Sequence, residues 1–281
     1  MAMNDEPRVA ADYAPGCSRI VRQTCVEVAT RLGDFRDEMC VVGGLVPSLI
    51  IDQRDRPEGV DEHIGTVDLD LGLSIVVLSA RLYEEIAKRL SEAGFSPDTN
   101  PAGNLTSQRW RSREGVRVDF LIPPSAETDR GGRLRNLDER FAAIITPALD
   151  LAFQDFETVL LREALPSGGG PAERQIRVWG PGAFIVLKAL AFHNRGKPKD
   201  AYDLYYVLRN HAGGIERIAN RIRSFGNRAE VGEAVAVLNR DFTRPDSVGP
   251  VRVADFLGGV DDALQADVAG FVRELLDGIN A

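Results

Sequence analysis

The segment Gly65-Thr-Val-Asp-Leu-Asp-Leu71 places Asp68 and Asp70 two residues apart among β-forming apolar residues. Positions i and i+2 of a strand point to the same face. A strand here puts two carboxylates side by side, with Thr66 on the same face and Val67, Leu69 and Leu71 on the other. Like charges that close repel, and a carboxylate taken out of water is costly unless something offsets it. Two readings follow. The polar face is either the solvated side of an amphipathic strand or the seat of a cation. Hard oxygen ligands of this kind suit magnesium.

The chain has 281 residues, 44% of them hydrophobic, enough for one large domain or two ordinary ones with a sizeable core. No apolar run reaches the ~18–20 residues that a membrane-crossing helix needs, so no membrane partner is expected. Residues 1–8 lack the apolar stretch of a signal peptide, and the expected location is cytoplasmic. Cys17, Cys25 and Cys40 show no zinc spacing and read as small buried thiols in a reducing compartment. A net charge of −8 argues against broad, non-specific nucleic-acid binding but leaves room for one local basic groove.

Hydrophobic periodicity predicts a helix over 18–32, a short buried strand over 38–43 ending at Gly43-Gly44, and a short helix over 45–51 behind those glycines. Residues 52–63 form a polar insert, read as a surface loop. The carboxylate strand runs over 66–75. A helix over 79–93 takes Ser79 as its N-cap and Gly94 after its end. Segments 105–113 and 116–122 read as a hairpin joined at Glu114-Gly115. Further strands are expected over 141–146, 156–165 and 174–179, the last two flanking a flexible tip at 166–171. From Pro181, which suits a first helical turn, the pattern becomes helical. Later helices are expected over 199–210, 214–224, 227–241 and 261–279. The reading is α+β: a mixed-sheet domain over 1–179, then a helical domain over 180–281.

Four features bear on chemistry. Gly43-Gly44 between strand and helix lets backbone approach a phosphate, although paired glycines also make ordinary turns. Asp68 and Asp70 form the second. The third is Asp119, in a strand that could align beside theirs; alternatively it is structural or pairs with a nearby arginine. Three carboxylates on two strands can hold two ions for an in-line phosphoryl displacement. The fourth is Lys188, the only charge in the apolar segment 183–192. It either snorkels to solvent or points at an anion such as a carboxylate or a triphosphate.

A strand ending in Gly-Gly, an Asp-x-Asp strand and a third Asp on another strand resemble the nucleotidyltransferase superfamily of the DNA polymerase β type. Downstream, Lys188, Arg195, Lys197, Asp200 and Asp203 resemble the Lys, Arg and Asp-x-x-Asp signature of the AbiEii/AbiGii nucleotidyltransferase toxins. The resemblance spans roughly 38–210. It implies a minimal nucleotidyltransferase fold, a mixed sheet flanked by helices, with a helical C-terminal domain. It also implies two magnesium ions (or manganese), a nucleoside triphosphate substrate, an RNA acceptor such as the tRNA 3′ end, a cognate antitoxin and a place in phage defence. Carried over, Gly43 and Gly44 would cradle the triphosphate, with Thr66 beside them. Asp68 and Asp70 would bind both metals. Asp119 would complete the second site and help deprotonate the acceptor hydroxyl. Lys188 would contact phosphate, and Arg195 would belong to the nucleotide site. Asp200 and Asp203, which share a helix face, would line the nucleotide site or orient Lys188 and Arg195; Asp200 alternatively caps its helix. The 52–63 insert lengthens the usual spacing and is a loop or a lid.

Arg109, Arg111 and Arg113 alternate on one face, with Arg117 near them. They read either as a track for an acceptor's phosphates or as a solvated strand face. Lys188, Arg195, Lys197 and Lys199 lie in a stretch without acidic residues over 184–199, which suggests a local positive mouth. His63, His193 and His211 lack ligand spacing and read as structural or exposed. Two other functions compete with RNA modification. One is nucleotidyl transfer to a protein or small-molecule hydroxyl. The other is NTP binding without turnover on the same fold.

Overall fold

The computed structural model describes residues 7–53, 61–74, 80–100, 102–126, 128–139, 141–168 and 170–281. Strands form where β-branched and apolar residues alternate or cluster. They are β1 (Met39–Val42), β2 (Asp68–Leu73), β3 (Ser96–Thr99), β4 (Leu105–Arg111), β5 (Arg117–Ile122), β6 (Leu134–Asp138), β7 (Phe141–Ile145), β8 (Phe156–Ala164) and β9 (Pro171–Trp179). The first helices are α1 (Cys17–Leu32), the four-residue α2 (Pro47–Ile50) and α3 (Ala80–Glu92). The chain divides into two compact units. The described part of the first covers Gly16–Val46 and Gly65–Trp179. The second takes 7–15, 47–53, 61–64 and Gly180–Ala281.

All nine strands belong to the first unit. The sheet runs β3-β4-β5-β2-β1-β9-β8, and β7 also pairs with β5 and carries β6. It is mixed: β2 lies parallel to β5 and antiparallel to β1. One face is apolar. Leu69, Leu71, Leu73, Val118, Phe120 and Ile122 are buried on it. Helix α1 offers Cys25, Val28 and Ala29, which with Met39, Val41, Leu71 and Ile176 line one small gap beneath the helix. Phe141 packs on Tyr83 of α3, on Phe120 and on Trp110, with ring centroids 5.6, 4.8 and 6.3 Å away. Cys17, Cys25 and Cys40 form no disulfide, and burial pushes the Cys25 thiol up to about 12.

Several elements differ from expectation. Strand β3 contains Pro97, which a sheet edge tolerates because no ladder N–H is needed there. Strand β6 is largely polar and pairs only with β7. The helix expected over 45–51 is a tight turn at Gly43–Leu45 followed by α2. Ser79 and most of the 52–63 insert lie outside the described residues.

The second unit is helical: α4 (Pro181–Arg195), α5 (Pro198–Asn210), α6 (Gly214–Ser224), α7 (Ala229–Phe242), α8 (Val248–Leu257) and α9 (Asp262–Asn280). Helix α8 lies between the helices expected over 227–241 and 261–279, in a stretch for which none was expected. Pro250 falls in the first turn, where the missing N–H costs nothing. Helix α4 is buried nearly all round, as its composition requires.

Lys188 does not snorkel. Its Nζ donates to Asp200 Oδ1 and Asp203 Oδ2, both at 2.8 Å, and the residue is 4% exposed. Arg195 forks onto Asp200 from the surface at 2.6 and 2.7 Å, and Lys199 reaches Asp203 one turn further along α5. His63 closes the cluster, with Nε2 2.9 Å from Asp203 Oδ1 and its ring stacked on Tyr202. Burial works against the Lys188 ammonium, but Asp200 and Asp203 outweigh it and push its pKa up to about 12. Burial opposes ionisation of Asp203 too, yet Lys188 and Lys199 hold it well below the carboxylate range. An ionised Asp203 only accepts, so His63 Nε2 carries the proton. Burial, aided by Lys199, drives His63 down to about 4 against the pull of Asp203, so the ring is neutral. Buried Lys188, half-buried Lys199 and Arg195 at the surface thus offset the two buried carboxylates. The positive mouth expected over 184–199 is, for Lys188 and Lys199, an internal ion-pair cluster.

Removing one member of such a cluster leaves an uncompensated charge. Lys188→Ala is expected to destabilise the protein by about 3–5 kcal/mol in urea unfolding followed by helical circular dichroism. The unfolded chain protonates His63 near 6.5 and the folded chain only near 4. Stability therefore falls as pH drops through that window, by up to about 1.4 kcal/mol per pH unit. Unfolding series at pH 7, 6 and 5 should show this slope, and His63→Gln should flatten it.

Candidate active site

Strand β2 lies between β1 and β5, and its polar face carries the site. Asp70 stands opposite Val42 on β1 and opposite Asp119 on β5. Asp68 stands opposite Arg117. Parallel register keeps paired residues on one face, so Asp68, Asp70 and Asp119 share a surface, on strands about 4.8 Å apart. This is the alignment expected from the two sequence segments. Asp119 is 7% exposed.

The glycines have a local cause. Gly43 has φ +72°, and a Cβ there would come 2.1 Å from Asp70 Oδ2. The Asp70 carboxylate thus occupies the space that any other residue at 43 would fill. A Cβ on Gly44 would meet Thr66 Oγ1 at 2.9 Å. Thr66 lies just before β2, where its N–H donates to Ser18 Oγ and its hydroxyl to the Asp68 carbonyl. Helix α2 is too short to add much dipole, so what the turn offers an anion is backbone.

The arginines of the hairpin are not a solvated track. Arg109 forks onto Asp119 at 2.7 and 2.6 Å, and Arg117 onto Asp68 at 2.7 and 3.1 Å. Arg111 makes the same fork onto Asp98 of β3, at 2.9 and 3.1 Å. Arg113 is exposed beyond the end of β4. One of these pairs lies within the hairpin: Arg109 and Asp119 are each five residues from Glu114, so a turn centred there pairs them. Burial raises the Asp68 carboxyl above its ordinary range, against the pull of Arg117. The hydrogen bonds to Asp119 raise Arg109 further still.

Three carboxylates on one face are the donor chemistry of a hard divalent cation. Among the described residues, however, no group of three or more His, Cys, Asp or Glu side chains is poised to hold a metal ion as it stands. Asp68 and Asp119 hold guanidinium groups, which take the place of cationic charge there. A metal at this face would have to take Asp68 and Asp119 from those forks.

The remaining predicted residues, Lys188, Arg195, Asp200 and Asp203, lie in the second unit and are bonded to one another in its buried cluster. Asp200 is in the first turn of α5 but makes no capping bond; Lys197 is the N-cap. His63 was expected only as a structural or exposed histidine, and its bond to Asp203 had no signal in the sequence.

Among the described residues no helix is long and apolar enough to cross a membrane. No curated protein matches the chain. A crystal structure of JHP933 from Helicobacter pylori aligns over 95% of this chain and 94% of that one, at 10% identity and a TM-score of 0.40. The family described as "Nucleotidyl transferase AbiEii toxin, Type IV TA system" matches residues 65–281. That span includes Asp68, Asp70, Asp119, Lys188, Arg195, Asp200 and Asp203, and it begins after Gly43-Gly44. The chain belongs to the AbiEii nucleotidyl transferase toxin family of type IV toxin–antitoxin systems.

Proposed function

We propose that the protein is a magnesium-dependent nucleotidyltransferase on a minimal nucleotidyltransferase fold. It moves NMP from an NTP to an RNA acceptor, the tRNA 3′ end being the acceptor that the family resemblance implies. The observation that carries the chemistry is the pairing of Asp70 with Asp119 across β2 and β5, with Asp68 on the same face. Asp68, Asp70 and Asp119 would hold the ions. When bound, they supply charge stabilisation for the attacking and leaving oxygens. Asp119 takes the proton of the acceptor hydroxyl. The acceptor oxygen bonds to the α-phosphorus as the bond to the β-phosphate bridge breaks, and pyrophosphate leaves. The backbone at Gly43 and Gly44 approaches the triphosphate, with Thr66 fixing the approach to β2. The resemblance counts Lys188, Arg195, Asp200 and Asp203 among the nucleotide-site residues; the orienting role is the one their bonds support, Asp200 and Asp203 holding Lys188 and Asp200 holding Arg195. A toxin of this kind works with a cognate antitoxin and fits phage defence.

One observation favours the competing acceptors. The hairpin arginines are held by Asp119, Asp98 and Asp68 rather than laid out for a polynucleotide. Transfer to a protein or small-molecule hydroxyl uses the same carboxylates without such a track.

Incubation with each α-labelled NTP, magnesium and a tRNA pool is expected to label RNA. Label on a co-incubated protein or an aminoglycoside, but not on RNA, would move the acceptor. Nucleotide binding with no product in any arm would leave the non-catalytic reading. Asp70→Asn is expected to lower transfer by about 100–1,000-fold, the scale of a lost transition-state contact, with the fold retained by circular dichroism. Gly43→Ala should cost about 1–2 kcal/mol in backbone strain and displace Asp70. Transfer should drop beyond what its melting temperature explains.

A further inference from the structure

From the paired forks on the polar face we infer that Arg109 and Arg117 are triphosphate-binding residues that change partners, holding Asp119 and Asp68 until divalent cations take those carboxylates and then turning to the phosphates. The inference rests on the nucleotidyltransferase reading and adds the residues that would bind the polyanion.

Each fork uses both oxygens of its carboxylate. A cation entering at Asp68 or Asp119 meets a guanidinium already there, and like charges at that separation in a half-buried site repel strongly. The planar guanidinium fits phosphate as well as it fits carboxylate, through the same bidentate geometry. Both arginines also stay next to the site whatever their side chains do. Arg117 is fixed in register beside Asp68, and Arg109 beside Asp119. Their side chains are 16% and 36% exposed, so each reaches solvent from its present position.

The same hairpin supplies an internal contrast. Arg111 forks onto Asp98 with equal geometry but touches none of Asp68, Asp70 and Asp119. A purely structural role for these ion pairs would make all three arginines behave alike.

The test measures Mn2+ binding to the full chain by electron paramagnetic resonance. It is run without nucleotide and again with α,β-methylene analogues of the four NTPs. Arg109→Gln and Arg117→Gln are expected to bind Mn2+ at least about threefold tighter without nucleotide, since a competing cation is gone. They should bind the Mn2+-analogue complex about tenfold or more weaker, the scale of one charge-assisted phosphate contact. Arg111→Gln should change neither. Arg109→Lys and Arg117→Lys keep the charge and lose the fork. They should shift both affinities in the same directions by less, and they stand in if a glutamine variant fails to fold. Equal behaviour of all three positions, or unchanged affinities at Arg109 and Arg117 in a wild type that binds Mn2+ and transfers label, overturns this inference alone. A wild type that binds no Mn2+ with or without analogue and transfers no label overturns the nucleotidyltransferase reading and this inference with it.

Discussion

The parallel register between β2 and β5 is the constraint on which the first unit's polar face depends. It sets Asp70 against Asp119 and Asp68 against Arg117. A one-residue slip would turn the buried leucines of β2 to the polar side and its aspartates into the core. The apolar face prevents this. Leu69, Leu71 and Leu73, together with Val118, Phe120 and Ile122, are buried. At about 1.5–3 kcal/mol for burying each such side chain, hydrophobic packing decides which way the carboxylates face. The carboxylates contribute little to choosing the register and receive their positions from it.

Both units bury carboxylates, and they neutralise them differently. In the first, arginines reach Asp68 and Asp119 from side chains that keep contact with solvent. In the second, Lys188 and Lys199 hold Asp200 and Asp203 within a helical core, with Arg195 on Asp200 from the surface and neutral His63 as a further donor. A guanidinium at a half-open position can exchange partners at modest cost. An ammonium enclosed on every side cannot leave without stranding the carboxylates it serves. The arginine pairs are therefore suited to exchange and the lysine cluster to holding α4 and α5 in one arrangement.

Much of the chain was legible in its sequence where periodicity was strong. The 105–122 hairpin, the strand before Gly43 and the helices over 199–241 fell close to their observed places. Elements with mixed signals were missed: β3 contains Pro97, β6 is largely polar, and α8 carries Gly249-Pro250 in its first turn. Of the site, the three aspartates and their common face could be read. The partner of Arg109 was within reach through the hairpin register, but alternation alone gave the arginines a solvated face; those of Arg111 and Arg117 lie on other strands.

By itself the sequence determined the residue types and their local faces. It set two carboxylates at i and i+2 of a strand, a third in a strand able to lie beside it, and a lysine inside an apolar helix. These follow from strand and helix periods, which act over a few residues. Only the tertiary structure decided the partners. Arg117 meets Asp68 across 49 residues, His63 meets Asp203 across 140, and Gly43 must lack a side chain because Asp70 lies against it. Such contacts arise from strand order and helix packing, and no local period encodes them.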